Sequence, residues 1–126
     1  MAESAALVSE VADFMAELSQ ELGFHWVFKS SFDKANRSSI HSDRGPGWEV
    51  AGPWLSQIKA KHGCALITDI HETAQVSDVA EVCDILQIPA FLCRQTDLLT
   101  AAVQSGRAVN VKKLSLIHIS EPTRPY

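Results

Sequence analysis

The stretch FKSSFDKANRSS, residues 28–39, concentrates side chains that could bind an anion. It contains two lysines, an arginine, an asparagine and four serines. These groups donate hydrogen bonds to phosphate or carboxylate oxygens, and the cations add electrostatic attraction. The same composition also suits a solvated surface loop with two incidental lysines. The stretch by itself therefore leaves two interpretations open.

The secondary structure predicted around this stretch places it directly after a strand. Apolar residues at helical spacing predict helices at residues 5–22, 48–61, 76–83 and 98–103, with Thr96 as an N-cap and with Gly23, Gly63 and Gly106 as C-terminal caps. Short β-rich or continuously apolar segments predict strands at residues 25–29, 64–70, 85–89 and 108–111. Residues 30–47 then form a long polar loop, and Pro53 is expected to start or kink the second helix.

The order of these elements predicts the architecture. One helix is followed by three strand–helix pairs and a last strand, which indicates a parallel sheet with helices outside it, either doubly wound or closed as a barrel. Lys29, Asp69, the segment after Pro89 and Lys112 each lie at the carboxyl end of a successive strand. A barrel builds its site from the carboxyl ends of many strands, whereas a doubly wound sheet concentrates ligand contacts at one switch point. The sequence therefore favours an α/β barrel.

Composition narrows the class of protein. The 126 residues are 46% hydrophobic, which suits one globular unit, and no apolar run approaches the roughly 20 residues that span a bilayer. With no leader pattern at Met1, a cytoplasmic location is expected and a membrane partner is not. The net charge of −4 argues against a nucleic-acid partner, because binding to a polyphosphate backbone usually needs a basic surface. The three cysteines lack Cys-x-x-Cys spacing and are expected to be buried, reduced thiols.

Five motifs together resemble one enzyme family in order and spacing. Residues 28–39 are followed by HSDRGPG (41–47), TDIHE (68–72), IPAFLCRQTDL (88–98) and VNVKK (109–113). This pattern is similar to that of the 3-deoxy-D-manno-octulosonate 8-phosphate synthases, and the resemblance covers residues 2–113. The related 3-deoxy-arabino-heptulosonate 7-phosphate synthases carry Lys-Pro-Arg-Thr-Ser at the first motif, whereas Lys29 is followed here by two serines. The heptulosonate enzymes remain the alternative family.

The resemblance implies a fold and a reaction. The fold is a (β/α)8 TIM barrel, of which residues 1–113 supply about half. The reaction is an aldol-type condensation of phosphoenolpyruvate with D-arabinose 5-phosphate, which yields 3-deoxy-D-manno-octulosonate 8-phosphate and phosphate for lipopolysaccharide sugar biosynthesis. The resemblance also implies that the partners are small-molecule substrates and that the full-length protein is a homo-oligomer.

The resemblance further implies roles for individual residues. Catalytic positions are Lys29, Asp69, His71 and Lys112, and substrate-binding positions are Ser31, Lys34, Asn36, Arg37, Ser38, Phe91, Arg94 and Gln95. The lysines and Ser31 are expected to hold phosphoenolpyruvate, and residues 36–38 the sugar phosphate. Phe91 and Arg94 resemble residues that reach the site of an adjacent subunit, and Gln95 is assigned to substrate binding with them. The alternative for His71 is a structural histidine at a helix start.

Two departures from the family limit what the resemblance implies. The family's metal-binding cysteine, or the asparagine that replaces it, lies before Met1, so metal dependence is undetermined and no metal ligand is assigned. After Lys113 the family pattern stops, and residues 114–126 are interpreted as a non-native tail in which His118 and Arg124 have no function, with a lineage-specific tail as the alternative. A chain with half a barrel is itself expected to be an inactive fragment.

Overall fold

The secondary structure alternates strands and helices as the sequence pattern predicts. A computed structural model describes residues 1–35 and 37–113. Its helices are α1 (Ala5–Leu22), α2 (Trp48–His62), α3 (Val76–Val82) and α4 (Thr96–Gln104), and its strands are β1 (Val27–Lys29), β2 (Ala65–Asp69), β3 (Ile85–Ile88) and β4 (Ala108–Val111). Two 3₁₀ turns, Thr73–Gln75 and Ala90–Leu92, follow β2 and β3. The predictions for Asn36 and for residues 114–126 lie outside the described residues.

Local capping interactions explain where the helices begin and end, and one predicted N-cap is wrong. Ser4 caps α1 by accepting the N–H of Leu7, and Gly23 ends that helix in the left-handed conformation. Thr96 is wrong as an N-cap, because it is already helical and Gln95 occupies the cap position without a side-chain hydrogen bond. The N–H of Gln95 bonds to the preceding 3₁₀ turn, so the chain enters α4 one residue early.

The sheet is wholly parallel, with the strand order β1-β2-β3-β4. Phe28, Leu66, Leu86 and Ile88 lie on one face and are buried in the main hydrophobic cluster. Helices α2, α3 and α4 contact β2, β3 and β4, and α1 packs against α2. The predicted α/β class and the parallel sheet of a partial barrel are thereby confirmed. The opposite face corresponds to the barrel interior.

The interior face becomes polar towards the carboxyl ends of the strands. Lys29 lies in register with Ile67, and the next row aligns Asp69 with Gln87 and Gln87 with Asn110. Because side chains alternate along a strand, this register turns all four polar side chains towards the same face.

An ion pair and a hydrogen bond of Asp84, at the amino ends of the strands, fix this register. Asp84, just before β3, accepts hydrogen bonds from Lys59 Nζ at 2.7 Å and from the Leu66 N–H at 2.9 Å. Partial burial would raise the pKa of the Asp84 carboxyl, but these two donors hold that pKa below its ordinary value. The carboxylate therefore ties α2, β2 and β3 together.

Within the described ranges, none of the helices is both long and apolar enough to cross a membrane.

Candidate functional site

A cavity of about 290 Å³ opens at the carboxyl ends of the strands. The carboxyl ends of parallel strands share one edge of a sheet, which is where α/β barrels place their sites. The cavity brings together three lysines, two carboxylates, an imidazole and an amide from separate segments of the chain. Its lining residues are Lys29, Ser31, Asp33, Lys34, Ala35, Asp69, His71, Gln87, Pro89, Ala90, Phe91 and Lys112.

Hydrogen bonds to neighbouring strands hold the first turn after β1 in place. The Ser30 N–H donates to the Ile67 carbonyl, and the buried Thr68 hydroxyl donates to the Ser30 carbonyl at 2.7 Å. Because Ser30 is anchored on both sides, Lys29 before it and Ser31 after it have fixed positions at the cavity wall.

Phe32 anchors the rest of the loop. Its ring is 1% exposed and meets the rings of Trp48 and His71 edge-on, at centroid distances of 5.2 and 6.1 Å. Its carbonyl accepts the Gly47 N–H, and a Cβ at Gly45 would lie only 2.7 Å from that carbonyl oxygen. Gly45 also has a φ of +101°, so both the space and the backbone require glycine there. The loop is an ordered part of the site.

The loop closes through an ion pair between Arg44 and Asp33. Arg44 Nε and Nη2 donate to the two carboxylate oxygens at 2.8 and 2.6 Å. Hydrogen bonding by the guanidinium keeps the pKa of the buried Asp33 carboxyl below its ordinary value despite burial. The Lys34 N–H donates to the Arg44 carbonyl at 2.7 Å, which sets the position of the lysine.

Asp69 and His71 form a second polar pair in the cavity. Asp69 Oδ2 lies 3.1 Å from His71 Nε2, and the two side chains are only 13% and 9% exposed. Burial favours a raised pKa for the Asp69 carboxyl, but hydrogen bonding with His71 and Ser31 lowers that pKa below its ordinary value. Asp69 Oδ1 and His71 Nδ1 are buried and have no hydrogen-bond partner within residues 1–35 and 37–113. Buried polar atoms usually have a hydrogen-bond partner, so these two atoms need a ligand or a water molecule to satisfy them.

The backbone of His71 also makes the contact expected of a structural histidine at a helix start. It lies just before the 3₁₀ turn Thr73–Gln75, and its backbone N–H donates to Gln75 Oε1 at 2.9 Å. Its ring nevertheless lines the cavity. The backbone of His71 therefore helps to start the turn while its side chain faces the candidate site.

Gln87 is a cavity residue that the sequence analysis missed. It is 5% exposed, and its Oε1 accepts a hydrogen bond from Asn110 Nδ2 at 3.2 Å. With its oxygen engaged, its amide nitrogen has no hydrogen-bond partner among the described residues and can serve as a donor on the interior face. A signal was present in the sequence, because a glutamine inside a buried strand needs a polar partner.

Several predicted substrate-binding residues do not line the cavity. Arg37 donates weakly to the Lys34 carbonyl at 3.4 Å, and its Nε is buried with no partner. Ser38, Arg94 and Gln95 are exposed outside the cavity, whereas Phe91 lines it while 64% exposed. Arg37, Ser38, Arg94 and Gln95 are therefore not among the residues that line the cavity.

No cluster of three or more His, Cys, Asp or Glu residues suitable for a metal ion occurs in residues 1–35 and 37–113. Cys64 and Cys83 are buried free thiols, and Cys93 is partly exposed. Burial raises the pKa of the Cys83 thiol to about 12.

Comparison with known proteins identifies the family. The sequence model of the DAHP synthetase I family matches residues 1–124. This chain belongs to the DAHP synthetase I family. Among its curated relatives, the 2-dehydro-3-deoxyphosphooctonate aldolase of Fusobacterium nucleatum is 58% identical over 111 residues, which are 88% of this chain and 40% of that protein.

Two further family members carry the same name. The protein from Marinobacter nauticus is 50% identical over 115 residues, 91% of this chain and 41% of the relative. The protein from Shewanella oneidensis is 53% identical over 111 residues, 88% of this chain and 39% of the relative. That name is a synonym for the octulosonate 8-phosphate synthases, so the resemblance drawn from the motifs is confirmed. The chain spans about 40% of the length of these relatives.

Proposed function

We propose that this chain is the part of a 3-deoxy-D-manno-octulosonate 8-phosphate synthase that holds phosphoenolpyruvate. The observation that carries the proposal is the convergence of Lys29, Lys34 and Lys112 on one cavity at the carboxyl end of the sheet. A phosphate and a carboxylate on a three-carbon ligand concentrate negative charge, and several fixed cations are needed to bind it. The names of the relatives support the choice of substrate.

The proposed reaction forms one carbon–carbon bond. C3 of phosphoenolpyruvate attacks the aldehyde carbon of arabinose 5-phosphate, whose oxygen takes up a proton. Water adds at C2 of the former phosphoenolpyruvate with loss of a proton, and the C2–O bond to phosphate then breaks to leave the keto group. The lysines would position the phosphate and carboxylate and stabilise the negative charge that develops.

The Asp69–His71 pair is the proposed contact to the sugar aldehyde. Both residues line the cavity, and each has a buried atom without a partner among the described residues, an oxygen that accepts and a ring nitrogen that donates or accepts a hydrogen bond. A sugar hydroxyl would donate to Asp69 Oδ1, whereas an aldehyde oxygen would only accept a hydrogen bond from an N–H at His71 Nδ1. This supports a role in orienting the sugar and in proton transfer.

Contacts to the sugar phosphate and to a second subunit are also part of the proposal. Asn36, Arg37 and Ser38 would bind the phosphate of arabinose 5-phosphate, Arg37 through parallel hydrogen bonds. Phe91, Arg94 and Gln95 are exposed, and Phe91 also lines the cavity, which suits residues that reach the site of an adjacent copy in a homo-oligomer. We place the reaction in the cytoplasm, because charged phosphate esters do not cross a bilayer.

Isothermal titration of the chain with phosphoenolpyruvate tests the proposal. We expect binding that Lys29→Ala weakens by about 10- to 100-fold, since one charged hydrogen bond contributes about 1.5–3 kcal/mol. Lys61→Ala is the matched control, because Lys61 pairs with Asp13 away from the cavity. Equal affinity of the wild-type and Lys29→Ala chains would refute the assignment.

Phosphate release from phosphoenolpyruvate tests the reaction itself. Release that depends on arabinose 5-phosphate supports the octulosonate reaction, and release that prefers erythrose 4-phosphate supports the heptulosonate reaction instead. Binding without release indicates that these residues form an inactive fragment of the site, as expected from a chain about 40% as long as its relatives.

A further inference from the structure

A carboxylate lies in the wall of the candidate anion site, where it should weaken anion binding. Asp33 lines the cavity beside Lys34, and its side chain is 11% exposed. Two like charges a few ångströms apart repel strongly where water is largely excluded. A phosphoenolpyruvate molecule in this cavity would meet that repulsion unless the charge of Asp33 were compensated.

Arg44 supplies the compensation. Its guanidinium faces both oxygens of Asp33 in a bidentate arrangement at 2.6 and 2.8 Å. Lysine cannot reproduce this planar two-bond geometry. Arg37 also lowers the pKa of the Asp33 carboxyl, but only through its charge and less than Arg44 does. The pair at Arg44 is therefore the main neutralising contact.

The same contact positions a binding residue. Asp33 and Lys34 are neighbours in the chain, and the Lys34 N–H donates to the Arg44 carbonyl at 2.7 Å. A side-chain bond and a backbone bond thus join the two sides of the loop at adjacent residues. Arg44 itself does not line the cavity, so it would act through Asp33 and Lys34.

We propose that Arg44 is a positioning residue of the anion site, which neutralises the Asp33 carboxylate and fixes Lys34 at the cavity wall. The inference rests on the proposed function, because it concerns affinity for phosphoenolpyruvate. It adds a residue outside the cavity to the determinants of that affinity.

The test measures phosphoenolpyruvate affinity by titration for the wild-type chain and four variants. Arg44→Ala should bind about tenfold more weakly or worse, since it leaves a buried carboxylate beside the ligand. Arg44→Lys should recover only part of this loss. The double variant Asp33→Asn with Arg44→Ala should return to within about threefold of wild type, because it removes the repelling charge.

Lys59→Ala is the matched control, because it breaks the Lys59–Asp84 pair at the opposite end of the sheet. It should lower stability without changing phosphoenolpyruvate affinity. Amide hydrogen exchange adds a second readout, and the Lys34 N–H should exchange about tenfold faster in Arg44→Ala.

The outcomes separate this inference from the proposed function. Unchanged affinity in Arg44→Ala overturns the inference while the wild-type chain still binds. A loss that Asp33→Asn fails to restore also overturns it, since the role of Arg44 would then be structural only. If the wild-type chain does not bind phosphoenolpyruvate, the proposed function fails and this inference fails with it.

Discussion

Replacing Phe32 with alanine is expected to destabilise this chain more than almost any other single change. The Phe32 side chain is 1% exposed and packs between Trp48 and His71. A phenylalanine buries about 150–250 Å². At about 25 cal/mol per Å² this is worth about 4–6 kcal/mol. Alanine retains part of that area, and measured losses for such changes are about 3–5 kcal/mol.

A loss of this size is a large fraction of the total stability, which is about 5–15 kcal/mol for a domain. Urea unfolding followed by circular dichroism measures the change in unfolding free energy. Phe14→Ala is the matched control, because Phe14 is 62% exposed on α1 and should lose about 0.5 kcal/mol or less. Phe32→Leu should lie between the two.

Equal losses for Phe32→Ala and Phe14→Ala would refute the reasoning, because they would show that the Phe32 ring is not packed as described. A large loss would carry a second consequence for the site. The ring also contacts His71, so phosphoenolpyruvate affinity should fall in folded Phe32→Ala even at temperatures where the chain is fully native.

Three other measurements follow from the structure. In thermal unfolding, Gly45→Ala should lower the free energy of unfolding by about 2 kcal/mol more than Gly23→Ala. Both glycines have a positive φ, but only at Gly45 would the added Cβ lie 2.7 Å from a backbone oxygen. Equal losses of stability would contradict the tight turn at Gly45. Cys83, with a pKa of about 12, should resist iodoacetamide at pH 8 in the native state while Cys93 reacts, as read by mass spectrometry; alkylation of both at equal rates would contradict the burial. Because the pKa of the Asp84 carboxyl is lowered in the native state, the ionised carboxylate stabilises the fold at pH values above its ordinary pKa of 3.8. This stabilisation is lost as the pH falls through the lowered native pKa. Below about pH 4 the free energy of unfolding should therefore fall less steeply with decreasing pH in Asp84→Asn than in the wild-type chain. Parallel pH curves for the two chains would refute the stabilising role of the Asp84 hydrogen bonds.

The fold class and the end of the sheet that bears the site could be predicted from local pattern. Periodic apolar residues and glycine caps predicted α1 and α2, a nearly continuous apolar run predicted β2, and a short segment before Pro89 predicted β3. Lys29, Asp69 and Lys112 lie at the carboxyl ends of β1, β2 and β4, and because the strands are parallel the pattern predicts them at one edge of the sheet. Motif resemblance added the residues within the loop and pointed to the family.

The contacts of Asp33, Arg44 and Gln87 could not be derived in the same way. Asp33 and Arg44 are 11 residues apart in a segment without periodicity, and a loop of that length can bring its ends together in many ways. Gln87 faces the interior because of the register between β2 and β3, which depends on packing across the sheet.

The sequence by itself determined which segments are helices and strands, that the strands run parallel and that lysines gather at their carboxyl ends, because these properties depend on spacing along the chain. Only the tertiary structure decided which charges are neutralised and which polar atoms remain available. Arg44 pairs with Asp33, His71 pairs with Asp69, and one oxygen of Asp69 stays unpartnered. Hydrogen bonds of 2.6–3.1 Å depend on side-chain positions set by packing between segments distant in sequence, and no local pattern encodes those positions.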